Sequence, residues 1–359
     1  MEIERENREY PKKRGRAGFW ISTSLAIFFF MCCIVLFFSL MAVFVVKGSL
    51  TPSDEERGTK KLAEVVVEGS GQNKIVIIPI KGVITAQSTK NILIETPSLI
   101  EVVKKQLEQA REDNSVKAII LDIDSPGGGI TASDIIYKEI LAFKEKTEKK
   151  VIVIMRDVAA SGAYYISAAA DRIIAHPTTI TGSIGVIMPL VNFADLAKKY
   201  GVAVTSIKSG DMKDIGSPFK EMSDEEREVL DSIVDEMYTR FLQIISDGRS
   251  MKIEEVRELA DGRIFTGSQA VENGLVDQLG YIEDTISVAK EMAGLEEAKI
   301  IKYKRMFDLA ELFAVTMKNF SGHRSITLDL HTMAGEDNFP RLMYMWTGYQ
   351  HDYKQSAFK

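Results

Sequence analysis

The tightest constraint on the fold is a junction that occurs twice. An apolar strand-like run ends in small residues and glycine, and the chain then turns helical. The first run, 116–120 (VKAII), leads into 121–129 (LDIDSPGGG). The second, 151–155 (VIVIM), leads into 156–171 (RDVAASGAYYISAAAD). Near-continuous apolar strands of this kind belong in a parallel sheet covered on both faces. Ser161 stands at the second junction, between Ala160 and Gly162. A serine there sits at a helix N-terminus, where unpaired backbone N–H groups point outward. Its small neighbours let another backbone, such as an extended peptide, come close. The ordinary role of such a serine is an N-cap; the sharper one is a nucleophile.

The rest of the chain repeats the alternation. Strands are expected at 74–80, 116–123, 151–155, 172–175, 184–191 and 202–207. Helices are expected at 98–112, 131–144, 161–170, 193–200, 223–246, 253–260 and 282–293. Pro79 inside the first strand points to an edge or a bulge. Ser223 and Glu226 have the spacing of a capping box. Val229, Ile233, Met237, Phe241 and Ile244 form a stripe at helical spacing, read as core or oligomer contact. Residues 262–280 are turn-rich. Beyond 294 the pattern weakens, with an amphipathic stretch at 306–317 and an aromatic tail at 339–353. Alternating strand and helix is the signature of an α/β fold.

The N-terminus is a separate matter. Residues 18–46 carry no charge, preceded by Lys12, Lys13, Arg14 and Arg16. That run exceeds the roughly 20 residues that span a bilayer. With the basic cluster before it, the positive-inside rule puts residues 1–17 in the cytoplasm and the remainder outside. The expected organisation is a cytoplasmic tail at 1–17, a transmembrane helix at 18–46, a linker at 47–73, a main domain at 74–295 and a partly ordered extension at 296–359. Cys32 and Cys33 lie within the apolar run and pack as small apolar residues.

Composition removes several function classes. The 359 residues carry a net charge of −6 and no basic stripe interleaved with aromatics, which argues against a nucleic-acid partner. The only cysteines are the adjacent pair, so no disulfide framework or cysteine zinc site is available outside the apolar run. The four histidines do not show the HExxH spacing, and no metal or cofactor is expected.

A serine hydroxyl needs a base. His176, before Pro177, reads as structural, which leaves lysine. Lysine works as a base only when neutral, and burial favours that form. Lys208 and Lys213, in 206–219 (SIKSGDMKDIGSPF), are both candidates, and spacing does not choose between them. Asp122 and Asp124, two apart at a strand end, read as local caps and pairs.

The ordered set DSPGGG, ASGAYYISAAAD, TGSIGVI and KSGDMKDIGSPF resembles the signal peptide peptidase A family, membrane-bound bacterial peptidases with a Ser-Lys dyad. The likeness covers roughly 74–295 and follows the short form of the family, without tandem duplication. It implies the ββα superhelix shared by Clp protease and the crotonases. It assigns Ser161 as nucleophile and Lys213 as base, and places Ser183 where a hydroxyl orients the lysine. It assigns Gly128 and Gly162 as backbone donors to the oxyanion. It also implies peptide substrates such as remnant signal peptides, a membrane location, and a homo-oligomeric ring, an octamer. A crotonase-type acyl-CoA enzyme and a non-catalytic membrane scaffold are the rival readings.

Overall fold

A computed structural model describes residues 16–49, 61–90, 95–305 and 342–347. The basic residues Lys12, Lys13 and Arg14, positions 50–60 of the expected linker, and the stretch 306–317 lie outside the described residues. The chain divides into two compact units between residues 60 and 61.

The described residues of the first unit form α1 (Arg16–Ser49), 34 residues long. From Ile27 to Met31 five consecutive apolar side chains are exposed, so the helix has no polar face. Among the described residues no helix is long and apolar enough to cross a membrane. On α1 the described side chains run only from 24 to 40, a window shorter than the roughly 20 residues of a span.

The second unit is built on a mostly parallel sheet. Its elements begin with β1 (Ala63–Glu68), β2 (Lys74–Lys81), the short pair β3 (Thr89–Lys90) and β4 (Glu95–Thr96), and α2 (Leu99–Glu112). Then come β5 (Val116–Ser125), β6 (Gly127–Gly129), α3 (Ile130–Thr147), β7 (Lys150–Ala160), α4 (Gly162–Ser167), β8 (Arg172–Ala175) and β9 (Ile180–Gly182). After them come α5 (Ala194–Lys199), a 3-10 turn at Asp211–Asp214, and α6 (Asp224–Arg249). The unit closes with α7 (Ile253–Leu259), β10 (Ile264–Thr266), α8 (Gly267–Glu272), β11 (Gln278–Leu279), α9 (Ile282–Met292), β12 (Lys299–Lys304) and β13 (Met343–Met345).

The main path of the sheet runs β1-β12-β2-β5-β7-β8-β11, with β9 and β10 branching from the end of β7. The outermost members β1 and β12 lie outside 74–295 and pair with each other antiparallel. β2 is interior, between β12 and β5. Its pairing with β12 stops at Ile77, so the missing N–H of Pro79 falls beyond that ladder. Alternate residues of the apolar strands feed two cores. Ile119, Leu121 and Ile123 pack with Val103, Ile136 and Ile140 on one face. Ala118 and Ile120 pack with Ile286 and Ala289 of α9 on the other. This double burial is why these strands read as unbroken apolar runs.

The expected strands at 184–191 and 202–207 do not form. The first contributes a single bridge, Ile187 to Met343. The second lies exposed, with Ile207 fully in solvent. Each carries strand-forming residues, but a strand needs a neighbour to bond to. The capping boxes do form, Ser98 with Glu101 and Ser223 with Glu226.

Candidate active site

β7 bends at its end. Its first half pairs with β8 through Met155 and its last residues with β9 from Val158 to Ala160. The change of partner throws the chain into a sharp turn at Ser161. The backbone there has φ 54° and ψ −114°, a conformation that costs a non-glycine residue on the order of 1–3 kcal/mol. Two bonds hold it. The Ser161 N–H donates to Gly182 O at 2.7 Å, and the Tyr165 N–H donates to Ser161 O at 2.9 Å. Ser161 is in the N-cap position of α4, yet its side chain makes no capping bond, unlike Ser98 and Ser223. Its hydroxyl is therefore buried at 1% exposure without being used to hold the helix.

The glycine loop lies against this turn. A Cβ added to Gly162 would sit 3.2 Å from the Gly128 nitrogen and 2.4 Å from Ser133 Oγ. A Cβ on Gly128 would strike Ile84 O at 2.1 Å. Gly127 has φ +96° and a Cβ there would come within 2.7 Å of the Gly162 nitrogen. Only glycine permits this approach of two backbones. Ser183 follows Gly182, whose carbonyl receives the Ser161 N–H. Ser183 has φ 49°, is nearly buried, and donates its own N–H to Arg263 O at 2.7 Å. Ser161, Gly162, Gly128 and Ser183 are thus gathered at one place.

Lys213 has different surroundings. It sits exposed in the turn Asp211–Asp214. Lys208 and the unanticipated Lys220 both bond Asp214 Oδ1, at 2.8 and 2.6 Å. Their two bonds, Lys208 first, hold the Asp214 carboxyl at about 2. Asp122 pairs with Arg156 at 2.5 Å. Asp124 accepts from the Val158 N–H, and its acidity is weakened mainly by burial. Both carboxylates are engaged across the sheet by β7, 34 residues away in the chain, and not by local caps as their spacing suggested.

The feature that sequence reasoning missed is the role of the tail. β13 lies antiparallel on β6, with Tyr344 opposite Gly128 and Met343 opposite Gly129. On its other side Met343 exchanges both backbone bonds with Ile187, at 3.0 and 3.1 Å. The Tyr344 carbonyl is 3.0 Å from where a Gly162 Cβ would be. Its ring is fully buried, stacked on Tyr165 at 5.1 Å and tilted against Phe241 at 4.6 Å. Its hydroxyl donates to Met237 O at 2.8 Å. Tyr165 is fixed in turn by Asp134, which accepts its hydroxyl at 2.7 Å and also pairs with Arg240. The aromatic excess of the tail was the available signal, but three residues carry no local pattern that names a partner strand.

A buried serine on a strained turn, beside two closely packed glycine backbones and an extended strand, has the equipment for acyl transfer. The hydroxyl can attack a carbonyl, and the donors can hold the oxyanion. Fold and site together define a serine hydrolase. Comparison with known proteins narrows the class. Residues 143–296 match the model of peptidase family S49, and 89–181 match that of Clp protease. A protein of Enterococcus faecium bearing the name signal peptide peptidase SppA is 42% identical over 241 residues, 67% of this chain and 70% of the relative. A protein of Synechocystis sp. named as a protease is 39% identical over 231 residues, 64% of this chain and 78% of the relative. A chloroplastic serine protease SPPA of Arabidopsis thaliana is 36% identical over 230 residues, 63% of this chain but 33% of that longer relative. The chain belongs to peptidase family S49 and is a serine peptidase.

Proposed function

We propose that this peptidase is anchored in the cell membrane by α1 and cuts extended peptides, remnant signal peptides among them. Ser161 is the nucleophile and Lys213 its base. Neutral Lys213 takes the proton as Ser161 Oγ bonds to the scissile carbonyl carbon. The N–H groups of Gly128 and Gly162 hold the oxyanion, and Ser183 orients the lysine. The protonated lysine then gives its proton to the departing amine as the C–N bond breaks. Water hydrolyses the acyl ester by the same route reversed.

The observation that carries this reading is β13 on β6. A peptide backbone there is bonded on both edges, and its Tyr344 carbonyl lies beside Gly162 opposite Gly128. That arrangement suits an extended peptide better than an acyl-CoA thioester, and the strained serine turn argues against a scaffold. For the base, Lys208 is already held in an ion pair with Asp214 at 2.8 Å. Lys213 has no such bond among the described residues. The signal-peptide substrate follows the name borne by the Enterococcus faecium relative.

We place the catalytic domain outside the cell, with α1 as a single span. The uncharged run 18–46 and the basic residues before it support that topology. The mostly parallel sheet we read as the ββα spiral of Clp protease and the crotonases. Exposed apolar residues of the lysine segment, among them Val191, Leu196, Val204 and Ile207, support a homo-oligomeric ring, octameric by resemblance, in which Lys213 serves a neighbour's Ser161.

A fluorophosphonate probe tests the chemistry. It should label wild-type protein at Ser161, fail with Ser161→Ala, and react far more slowly with Lys213→Ala. Peptide hydrolysis should climb toward alkaline pH, because a lysine base acts only unprotonated. Equal labelling of Ser161→Ala would contradict the assignment.

A further inference from the structure

The turn that carries Lys213 lies in a stretch with almost no regular structure and no hydrophobic core of its own. None of its residues from Asp211 to Asp214 is buried. Something other than apolar packing must fix a catalytic lysine there. A chain of ion pairs runs through the position next to it. Lys208 Nζ closes on both ends of the turn, donating to Asp211 O at 2.9 Å and to Asp214 Oδ1 at 2.8 Å. Lys220 Nζ donates to the same Asp214 oxygen at 2.6 Å and to Glu226. Glu226 is 3% exposed and accepts the Ser223 N–H at 3.1 Å, so it belongs to the cap of α6. From α6, Phe241, Leu242 and Ile245 run fully buried into the core. The lysine turn is tied through Asp214, Lys220 and Glu226 to the start of a helix whose other end is anchored.

We propose that Asp214 and Lys220 are positioning residues: they clamp the Asp211–Asp214 turn to α6 and so set where Lys213 presents its amine. This rests on Lys213 being the base. Asp214, adjacent to Lys213, absorbs the charges of both neighbouring lysines and leaves Lys213 without a carboxylate partner among the described residues. The clamp also persists across working pH. The Asp214 carboxyl, held at about 2 by its lysines, stays ionised, and its bond followed by that to Glu226 strengthens the protonation of Lys220.

Kinetics of the full chain on a fluorogenic peptide test this. Asp214→Asn and Lys220→Met should each lower kcat about tenfold, the scale set by a small misplacement of a reacting group. KM should stay within about twofold, because neither residue is placed where peptide binds. Lys220→Arg should restore most of the rate. The double variant should lose no more than the worse single one, since both cut one tie. The thermal midpoint of each variant checks that the fold survives. Wild-type kcat in both single variants, or losses that multiply in the double one, overturns the clamp. If Lys213→Ala itself keeps its rate, the base assignment has failed. If Lys213→Ala is dead while Asp214→Asn and Lys220→Met are unimpaired, only the clamp has failed.

Discussion

The two halves of the proposed dyad sit in opposite kinds of structure. The serine stands on an interior strand, 1% exposed, in a strained backbone held by β9 and the glycine loop. The lysine stands in a segment whose apolar residues are exposed among the described residues: Val202, Val204 and Ile207 are 55%, 53% and 100% exposed. One half is complete within a single chain. The other has the composition of buried structure and the environment of a surface. Strain at Ser161 is affordable because packing around it over-determines the conformation. No comparable packing exists around Lys213, and ion pairs take its place. The difference teaches that the two members of the proposed dyad are held by different means, core packing for the serine and surface ion pairs for the lysine's turn.

Substitutions should separate the halves sharply. Gly128→Ala has the largest expected effect, because its Cβ would lie 2.1 Å from Ile84 O and 2.6 Å from Ile84 N. Backbone cannot yield there cheaply, so hydrolysis should fall at least about a hundredfold and stability by about 2–4 kcal/mol. Unchanged chemical denaturation with full activity would mean the glycine loop is less tightly fitted than its geometry indicates. The two ends of α6 offer the next comparison on one element. Phe241→Ala removes a fully buried ring packed on Tyr165 and Tyr344 and should cost about 3–5 kcal/mol. Val229→Ala, at a position 43% exposed on the same helix, should change stability by less than about 0.5 kcal/mol. Equal losses at both ends, measured by denaturant unfolding, would erase the contrast.

Acid sharpens it further. Burial alone would weaken the acidity of Asp113, but bonds from Ser115 and Lys74 outweigh it and hold the carboxyl at about 2, against 3.8 ordinarily. A folded value below the unfolded one means the stabilisation is present above about 3.8 and is lost as pH falls toward 2. Asp214 titrates in the same window but stands in a turn none of whose residues is buried, so releasing it opens no core. The thermal midpoint should therefore drop between pH 4 and 2, a range set by the Asp113 shift. Asp113→Asn should flatten part of that drop, and Asp214→Asn should leave it intact. The smallest effect is expected at Ile207→Ser. A residue 100% exposed contributes nothing to the isolated protomer, so its thermal midpoint should stay put while activity becomes sensitive to dilution.

How much of this was legible in the sequence follows the same division. The strands buried on both faces, the strained serine and the glycines around it announce themselves locally, because apolar runs and obligatory small residues leave a pattern in consecutive positions. The Ser223–Glu226 capping box was visible for the same reason. The strands expected at 184–191 and 202–207 carry a local strand preference that, among the described residues, only the single Ile187–Met343 bridge answers. β1 and β12 pair across most of the sequence, Ala63 opposite Lys304, and no window contains both. Tyr344 finds its place by filling a space between Tyr165 and Phe241, a relation that exists only once α4 and α6 have packed. Spacing left Lys208 and Lys213 equivalent; only the position of Asp214 beside Lys208 and Lys220 in space distinguishes them.

The central claim, that the serine side is complete in one chain and the lysine side is completed by another, is tested most directly by complementation. Full-length Ser161→Ala and Lys213→Ala proteins, each inactive alone, are mixed in detergent, dissociated and reassembled. Some interfaces then join an intact Ser161 from one protomer to an intact Lys213 from its neighbour. The account predicts that peptide hydrolysis returns, to a fraction of wild type that rises with the degree of mixing and is greatest near equal proportions. A mixture that stays inactive although differently tagged protomers are shown to co-assemble would contradict it and place both members of the dyad within a single chain.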